Sequence, residues 1–226
     1  MMEKARPHFT LLYWNKFSLL LFSIILAFAL SPFLESFIRI KMLTDIVLSA
    51  ILISAIHAIS EKKSTLLVGL ALVLPCLVLK WSNYFLKTPF FGNWAEVFGA
   101  FFTAYILISI WAFVARQQEV TTEVIMAAIC GYFLIGFMWG FVYFFLNSAR
   151  PGSFQMAPSS AGEQSSFIYF SFVTMTTVGY GDTTPISNAA RSLSVLEAVM
   201  GQLYLAVTIA RLLGAYVSRK SEKQAD

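Results

Sequence analysis

The chain has 226 residues, 58% of them hydrophobic and 12% charged, with a formal net charge of +4. A typical soluble domain carries about 25% charged residues, and a fold this apolar would leave large greasy patches facing water. A cytosolic enzyme, a disordered chain and a disulfide-stapled secreted module are therefore excluded, and an all-α integral membrane protein with several spans remains. The basic residues lie in short segments between apolar runs, a pattern that orients membrane proteins and does not suit nucleic acid.

Crossing about 30 Å of hydrocarbon takes about 20 helical residues. Residues 1–16 read as a cytoplasmic N-terminal segment, with Tyr13 and Trp14 as interfacial anchors. The first uncharged run is Phe17 to Leu34. Ala27-Phe28-Ala29 inside it has the small-x-small look of a signal-peptidase site, but the run is read as a retained span. The second run is Leu43 to Ile59, with Asp45 near its start and His57 near its end. The third begins at Thr65, reaches Leu79 and continues to about Leu86 if Lys80 snorkels or pairs. Thr88-Pro89 and Gly92-Asn93 are expected to break the helix. The fourth run is Val97 to Ala115 and the fifth Val124 to Leu146. The last runs from Ala189 to Val217, with Glu197 and Arg211 inside it, and 218–226 form a short cytoplasmic tail. Helices are the default, because a lipid-exposed span must satisfy its own backbone polar groups.

Two segments between the fifth and last runs are different. Asn147 to Gln164 is rich in Ser, Pro, Gly and Ala and reads as an exposed loop. Ser165 to Met175 is apolar but half a span long, which suits a re-entrant helix. It leads into Thr176-Thr177-Val178-Gly179-Tyr180-Gly181-Asp182. An alkali cation gives up its water only if other oxygens replace it at nearly the same free energy. Consecutive backbone carbonyls can do so if all are turned one way. That needs residues that accept a left-handed backbone, which glycine does at little cost. Gly179 and Gly181, alternating with Val178 and Tyr180, meet the requirement, and the Thr177 hydroxyl can add a further oxygen. The preceding short helix would aim its C-terminal dipole at the ion path, where a cation is favoured.

The stretch TMTTVGYGD, Thr174 to Asp182, resembles the signature of tetrameric potassium channels of the voltage-gated-like superfamily. The resemblance runs from about Val124 to Val217. It implies a pore domain over 117–217, four copies around one pore, and a filter in which Thr177, Val178, Gly179, Tyr180 and Gly181 hold potassium ions, with no other cofactor. It further implies that Thr174, Thr176, Asp182 and Tyr169 support the filter, Tyr169 and Phe170 standing where the family often has tryptophans. Some bacterial relatives carry a glutamate where this chain has Val173; Asp182, its usual partner, must find another. Gly201 matches the family's inner-helix hinge. At about 100° per residue, Gln202, Leu205, Ile209 and Leu213 share the face that would line the cavity.

Residues 17–116 then correspond to the sensor-like four-helix domain of that superfamily. The fourth span carries no arginine between Val97 and Ala115, so it has no charge to move through the field. The resulting expectation is a multi-pass protein, of the plasma membrane and with both termini cytoplasmic, that conducts potassium passively without steep voltage gating. Its partners are three further copies and the bilayer; no enzyme chemistry is expected. A weakly selective cation channel and a non-conducting regulatory subunit are the alternatives. Cys76 and Cys130 read as small buried hydrophobes. Glu197, Gly201, Tyr204, Thr208 and Arg211 form a second stripe, about 120° from the cavity face, expected to look into the protein. Glu197, costly at membrane depth unless hydrogen-bonded or paired, is expected to seek Ser171 or Thr174, or Tyr204 of a neighbouring copy, and to brace the filter from behind.

Overall fold

The computed structural model describes residues 16–34, 40–59, 63–86, 89–117, 119–156 and 164–225. The N-terminal segment 1–15 and the side chains of Asp45 and of Ala27-Phe28-Ala29 lie outside the described residues. Seven helices carry the chain: α1 (Lys16–Leu34), α2 (Ile40–Ile59), α3 (Lys63–Leu86), α4 (Pro89–Arg116), α5 (Thr122–Ala149), α6 (Gln164–Met175) and α7 (Asn188–Ala225). Among the described residues, four stretches are long and apolar enough to cross a membrane: Lys63–Asn83, Phe90–Arg116, Thr122–Ala149 and Asn188–Val217. Lys16–Leu26 and Leu48–Ala58 are shorter apolar stretches. By these helices the chain is a multi-pass membrane protein.

Several boundaries differ from the reading of the apolar runs. Gly92-Asn93 does not break the chain. α4 starts at Pro89, whose missing N–H is harmless in the first turn, and continues through both residues. Gly92 brings α4 against α3, where a Cβ would stand 3.0 Å from Asn83 Nδ2. Pro75 lies within α3 without ending it. The segment 147–164 is not simply an exposed loop. α5 runs on to Ala149, and the Arg150 N–H bonds the Leu146 carbonyl at 2.8 Å. Ser153 and Phe154 are then buried. Phe154–Gln155 (β1) pairs antiparallel with Thr184–Pro185 (β2), in register Phe154 to Pro185 and Gln155 to Thr184. The Ile186 N–H extends the pairing to the Ser153 carbonyl at 2.8 Å. Two-residue strands leave no periodic signal in a sequence, and an apolar anchor such as Phe154 inside a Ser- and Gly-rich stretch was the trace available.

α1–α4 pack in sequence on one another, and α4 and α1 both lie against α5 of the same chain. One continuous core results. It joins Phe17, Leu20 and Ile24 of α1, Leu52 of α2, Phe102, Ile106 and Ile110 of α4, and Leu134, Phe137 and Phe141 of α5, reaching Ile168 of α6. Cys76 and Cys130 are buried thiols outside any disulfide among the described residues, and they meet the carbonyls of Ala95 at 3.4 Å and Phe17 at 3.5 Å. A second, aromatic core holds α5, α6, β1 and the start of α7 together: Trp139, Tyr143, Phe154, Phe167 and Phe170. Phe154 meets Phe167 and Phe170 edge-on at 5.4 Å, the orientation that ring quadrupoles favour. α6 lies closely against α5 because Gly136 and Gly140 leave room: a Cβ there would stand 2.6 Å from the Phe172 ring and 2.9 Å from Ile168. Small residues play this part in membrane helix pairs generally.

Candidate functional site

α6 ends at Met175, and the way it ends builds the site. The Thr176 N–H bonds the Phe172 carbonyl at 3.0 Å and the Thr177 N–H the Thr174 carbonyl at 3.0 Å. The N–H groups of Val178 and Gly179 both reach back to the Val173 carbonyl, at 3.1 and 3.3 Å. The Thr176 hydroxyl adds a bond to the Phe172 carbonyl at 2.6 Å. The last carbonyls of a helix lack partners within it, and here the chain beyond the helix supplies them. Thr177 closes the helix in the left-handed region, at φ 61°, as the residue after a helix end commonly does.

The left-handed conformation then recurs at every second residue. Thr177, Gly179 and Gly181 have φ of 61°, 58° and 79°, and Thr177 is the one non-glycine residue with positive φ among the described residues. Val178 and Tyr180 between them keep ordinary negative φ. Such an alternation is what turning successive peptide carbonyls to one side requires, and the N–H groups of 176–179 point back to the end of α6. No hydrogen bond among the described residues takes a carbonyl of Thr176 to Gly181 as its acceptor. The segment 176–182 is exposed within the single chain. The product is a row of oxygens with free lone pairs, chemically suited to a hard cation. A single row borders an ion on one side and leaves the other sides open. The requirement for glycine at 179 and 181 was legible in the sequence. The left-handed Thr177 was not, since a β-branched residue with positive φ is an outlier.

Behind this segment stands a buried polar cluster. Glu197 of α7 is fully buried. It accepts a hydrogen bond from the Tyr143 hydroxyl of α5 at 2.6 Å and one from the Ser171 hydroxyl of α6. Ser171 also lies 2.8 Å from the Gly136 carbonyl, and Ser194 hydrogen-bonds the Tyr143 oxygen. One carboxylate thus fastens three helices together. Of the partners expected for Glu197, Ser171 is present, whereas Thr174 engages the Thr177 N–H through its carbonyl and Tyr204 donates to the Ala128 carbonyl of α5 at 2.7 Å. Tyr143 was missed; inside an apolar run its ring reads as one more hydrophobe. Asp182 receives the Thr183 N–H at 3.0 Å, and the Tyr169 hydroxyl stands close enough to feel its charge. Phe170 turns away from the filter segment into the aromatic core, 5.2 Å from Tyr143.

α7 passes unbroken through Gly201, which packs against the end of α6: a Cβ there would stand 2.4 Å from Met175 Cγ and 3.1 Å from the Met175 carbonyl. Gln202 Nε2 donates to that same carbonyl at 3.3 Å. Leu205, Ile209 and Leu213 are exposed in the single chain, the last two at 61% and 59%. The opposite stripe faces the protein. Besides Glu197 and Tyr204, it includes Arg211, which donates from Nε to the Val114 carbonyl at 3.3 Å and from Nη2 to the Ala115 carbonyl, covering the last turn of α4.

Residues 124–218 match the Ion channel family. The matched residues take in α5 from Val124 onward, α6, the segment 176–182 and α7 as far as Ser218. A stretch of 62 residues is 44% identical to the inward rectifier potassium channel Kirbac3.1 of Paramagnetospirillum magnetotacticum, covering 27% of this chain and 18% of the relative. The matched stretch is thus less than a fifth of that relative's length. No solved structure matches the chain.

Proposed function

We propose that the chain is the subunit of a potassium-selective channel of six spans, with α6 as a re-entrant pore helix and four copies around one pore. The carbonyls of Thr177, Val178, Gly179 and Tyr180, with the Thr177 hydroxyl, hold dehydrated potassium ions in a filter completed by Gly181. The observation that carries this reading is the alternation of left-handed residues at 177, 179 and 181, which a one-sided row of free carbonyls requires. The likeness to a protein named as a potassium channel supports potassium as the ion. Thr174 and Thr176 anchor the filter's inner end, Tyr169 and Asp182 support its outer end, and Glu197 braces it from behind. Gln202, Leu205, Ile209 and Leu213 line the cavity below, with Gly201 available as a hinge. The protein resides in the plasma membrane with both termini cytoplasmic. It conducts passively and without steep voltage gating, since α4 carries no arginine before its last residue.

The test is ion flux in liposomes holding the purified protein, with potassium, rubidium and sodium compared. Uptake of potassium and rubidium far above sodium is expected. Flux that treats sodium and potassium alike overturns the filter assignment, and no flux of any cation overturns the channel.

A further inference from the structure

The two charged residues lying deep within α3 and α4 meet at the start of the pore helix. Lys80 of α3 and Glu96 of α4 each have 6% of the side chain exposed, and their charged atoms stand 3.9 Å apart, the far limit of an ion pair. Gln164, the first residue of α6, lies between them. Lys80 Nζ donates to Gln164 Oε1 at 2.9 Å, and Gln164 Nε2 donates to Glu96 Oε2 at 2.5 Å. The amide uses its acceptor on the cation and its donor on the anion, so each end meets the charge it suits. The two contacts through the amide are shorter than the direct pair, so the link between these two charges is routed through the pore helix, beside the direct packing of α3 on α4.

A buried ion pair is a poor device for stability alone, because well-packed apolar residues often serve as well or better. It is better suited to fixing one arrangement of the elements that carry it. The carboxylate also lies at the N-terminal end of α6, where the helix dipole favours negative charge. α6 has 12 residues, about 18 Å at 1.5 Å per residue, and its far end carries the filter segment. Ser171 and Glu197 hold it near that far end, and Gln164 holds its start.

We infer that Lys80, Glu96 and Gln164 are positioning residues for the filter, through which α3 and α4 act on the pore helix. This rests on the channel reading above. A shift of α3 against α4 moves the amide, and α6 transmits the movement to the filter. The four-helix part, which has no arginine-bearing sensor, thereby still has a mechanical route to conduction.

The full-length chain is reconstituted in liposomes as wild type, Gln164→Met, Lys80→Met with Glu96→Leu, and all three together. The readouts are the potassium-over-sodium flux ratio, the decay of flux with time, and thermal stability of the folded protein. Gln164→Met keeps the bulk and leaves the ion pair free to close, so folding is retained. It removes both hydrogen bonds of the amide to charges and is expected to change the flux ratio or the decay rate by about tenfold or more. The paired variant should produce the same change, and the triple variant no more than either. Should the apolar pair fail to fold, Lys80→Glu with Glu96→Lys replaces it. The amide can turn over to serve the reversed pair, so this variant should restore what Glu96→Lys alone disrupts. Wild-type ratio and decay in a folded Gln164→Met protein overturn the inference, as do effects that multiply in the triple variant. Failure of the wild type to conduct overturns instead the channel reading on which it rests.

Discussion

α1–α4 and α5–α7 share one apolar core but handle their polar groups differently. In α1–α4 the interior is mainly aliphatic and aromatic; some hydroxyls turn back on their own helix, such as Thr103 on the Gly99 carbonyl at 2.9 Å and Ser109 on the Tyr105 carbonyl at 2.9 Å, and bonds between helices are few, such as Tyr105 to the Thr65 carbonyl at 3.0 Å and the Lys80–Gln164–Glu96 link. In α5–α7 a carboxylate, two phenols and two serines bond from helix to helix, glycines bring backbones together, and three of the five residues 177–181 take a left-handed conformation. Apolar packing is enough where a bundle only has to exist. Directional bonds and strained backbone mark the place where atoms must stand at fixed positions.

The widest separation between the two regions is expected from Gly179→Ala. Left-handed backbone costs an L-residue about 1–2 kcal/mol, and on the four-copy reading the cost recurs in each copy. Potassium flux should fall to background or lose its preference over sodium, and unchanged selectivity would refute the filter assignment. Next comes a matched pair of core substitutions. Ile106→Ala, in the fully buried interior of α4, should destabilise the protein by about 2–5 kcal/mol, read as a lower midpoint in thermal unfolding. The fraction still folded should retain wild-type selectivity. Glu197→Leu removes the acceptor of two buried hydroxyls, at about 1–3 kcal/mol for each group left unsatisfied. A comparable loss of stability is expected, but with altered selectivity or faster decay of flux. If both variants disturb selectivity equally, the functional contrast between the regions disappears.

Smaller effects sharpen the contrast. Glu197→Gln keeps an acceptor and Tyr143→Phe removes one hydroxyl, so each should cost about 1 kcal/mol and shift flux decay less than the leucine variant does. The smallest effect expected is that of voltage. Moving one charge through 100 mV is worth about 2.3 kcal/mol, and α4 offers none between Val97 and Ala115 except what the ions themselves carry. A gating valence of several elementary charges in single-channel records would contradict this.

Much of this architecture was legible in the sequence, and the gaps have physical reasons. Four of the six apolar runs coincide with helices long and apolar enough to cross a membrane among the described residues, because length and hydropathy are local properties. The break expected at Gly92-Asn93 failed because packing on Asn83 outweighs two weak helix formers. The glycines of the filter segment were legible because left-handed backbone selects glycine; Thr177 was not, because its conformation is imposed by the end of α6. Glu197 stood out as a charge at membrane depth, and rotation about the helix gave the direction it faces. Tyr143, 54 positions away in the chain, could not be found by spacing. The same holds for Gln164, which lies 84 positions from Lys80 and 68 from Glu96. Local patterns report which residues want a partner, and the tertiary fold decides which partner they get.

The connection between α4 and α5 is residues 117–121. At about 3.3–3.6 Å per residue it reaches roughly 20 Å, which leashes the four-helix part to the α5 of its own chain. Each polypeptide can therefore finish its large core as it leaves the insertion machinery, before it meets another copy. On the four-copy reading, biogenesis then becomes the docking of completed pieces. A freshly made single chain should resist protease across α1–α5 at dilutions where no oligomer forms, and the rate of assembly should depend on concentration while the burial of this core does not.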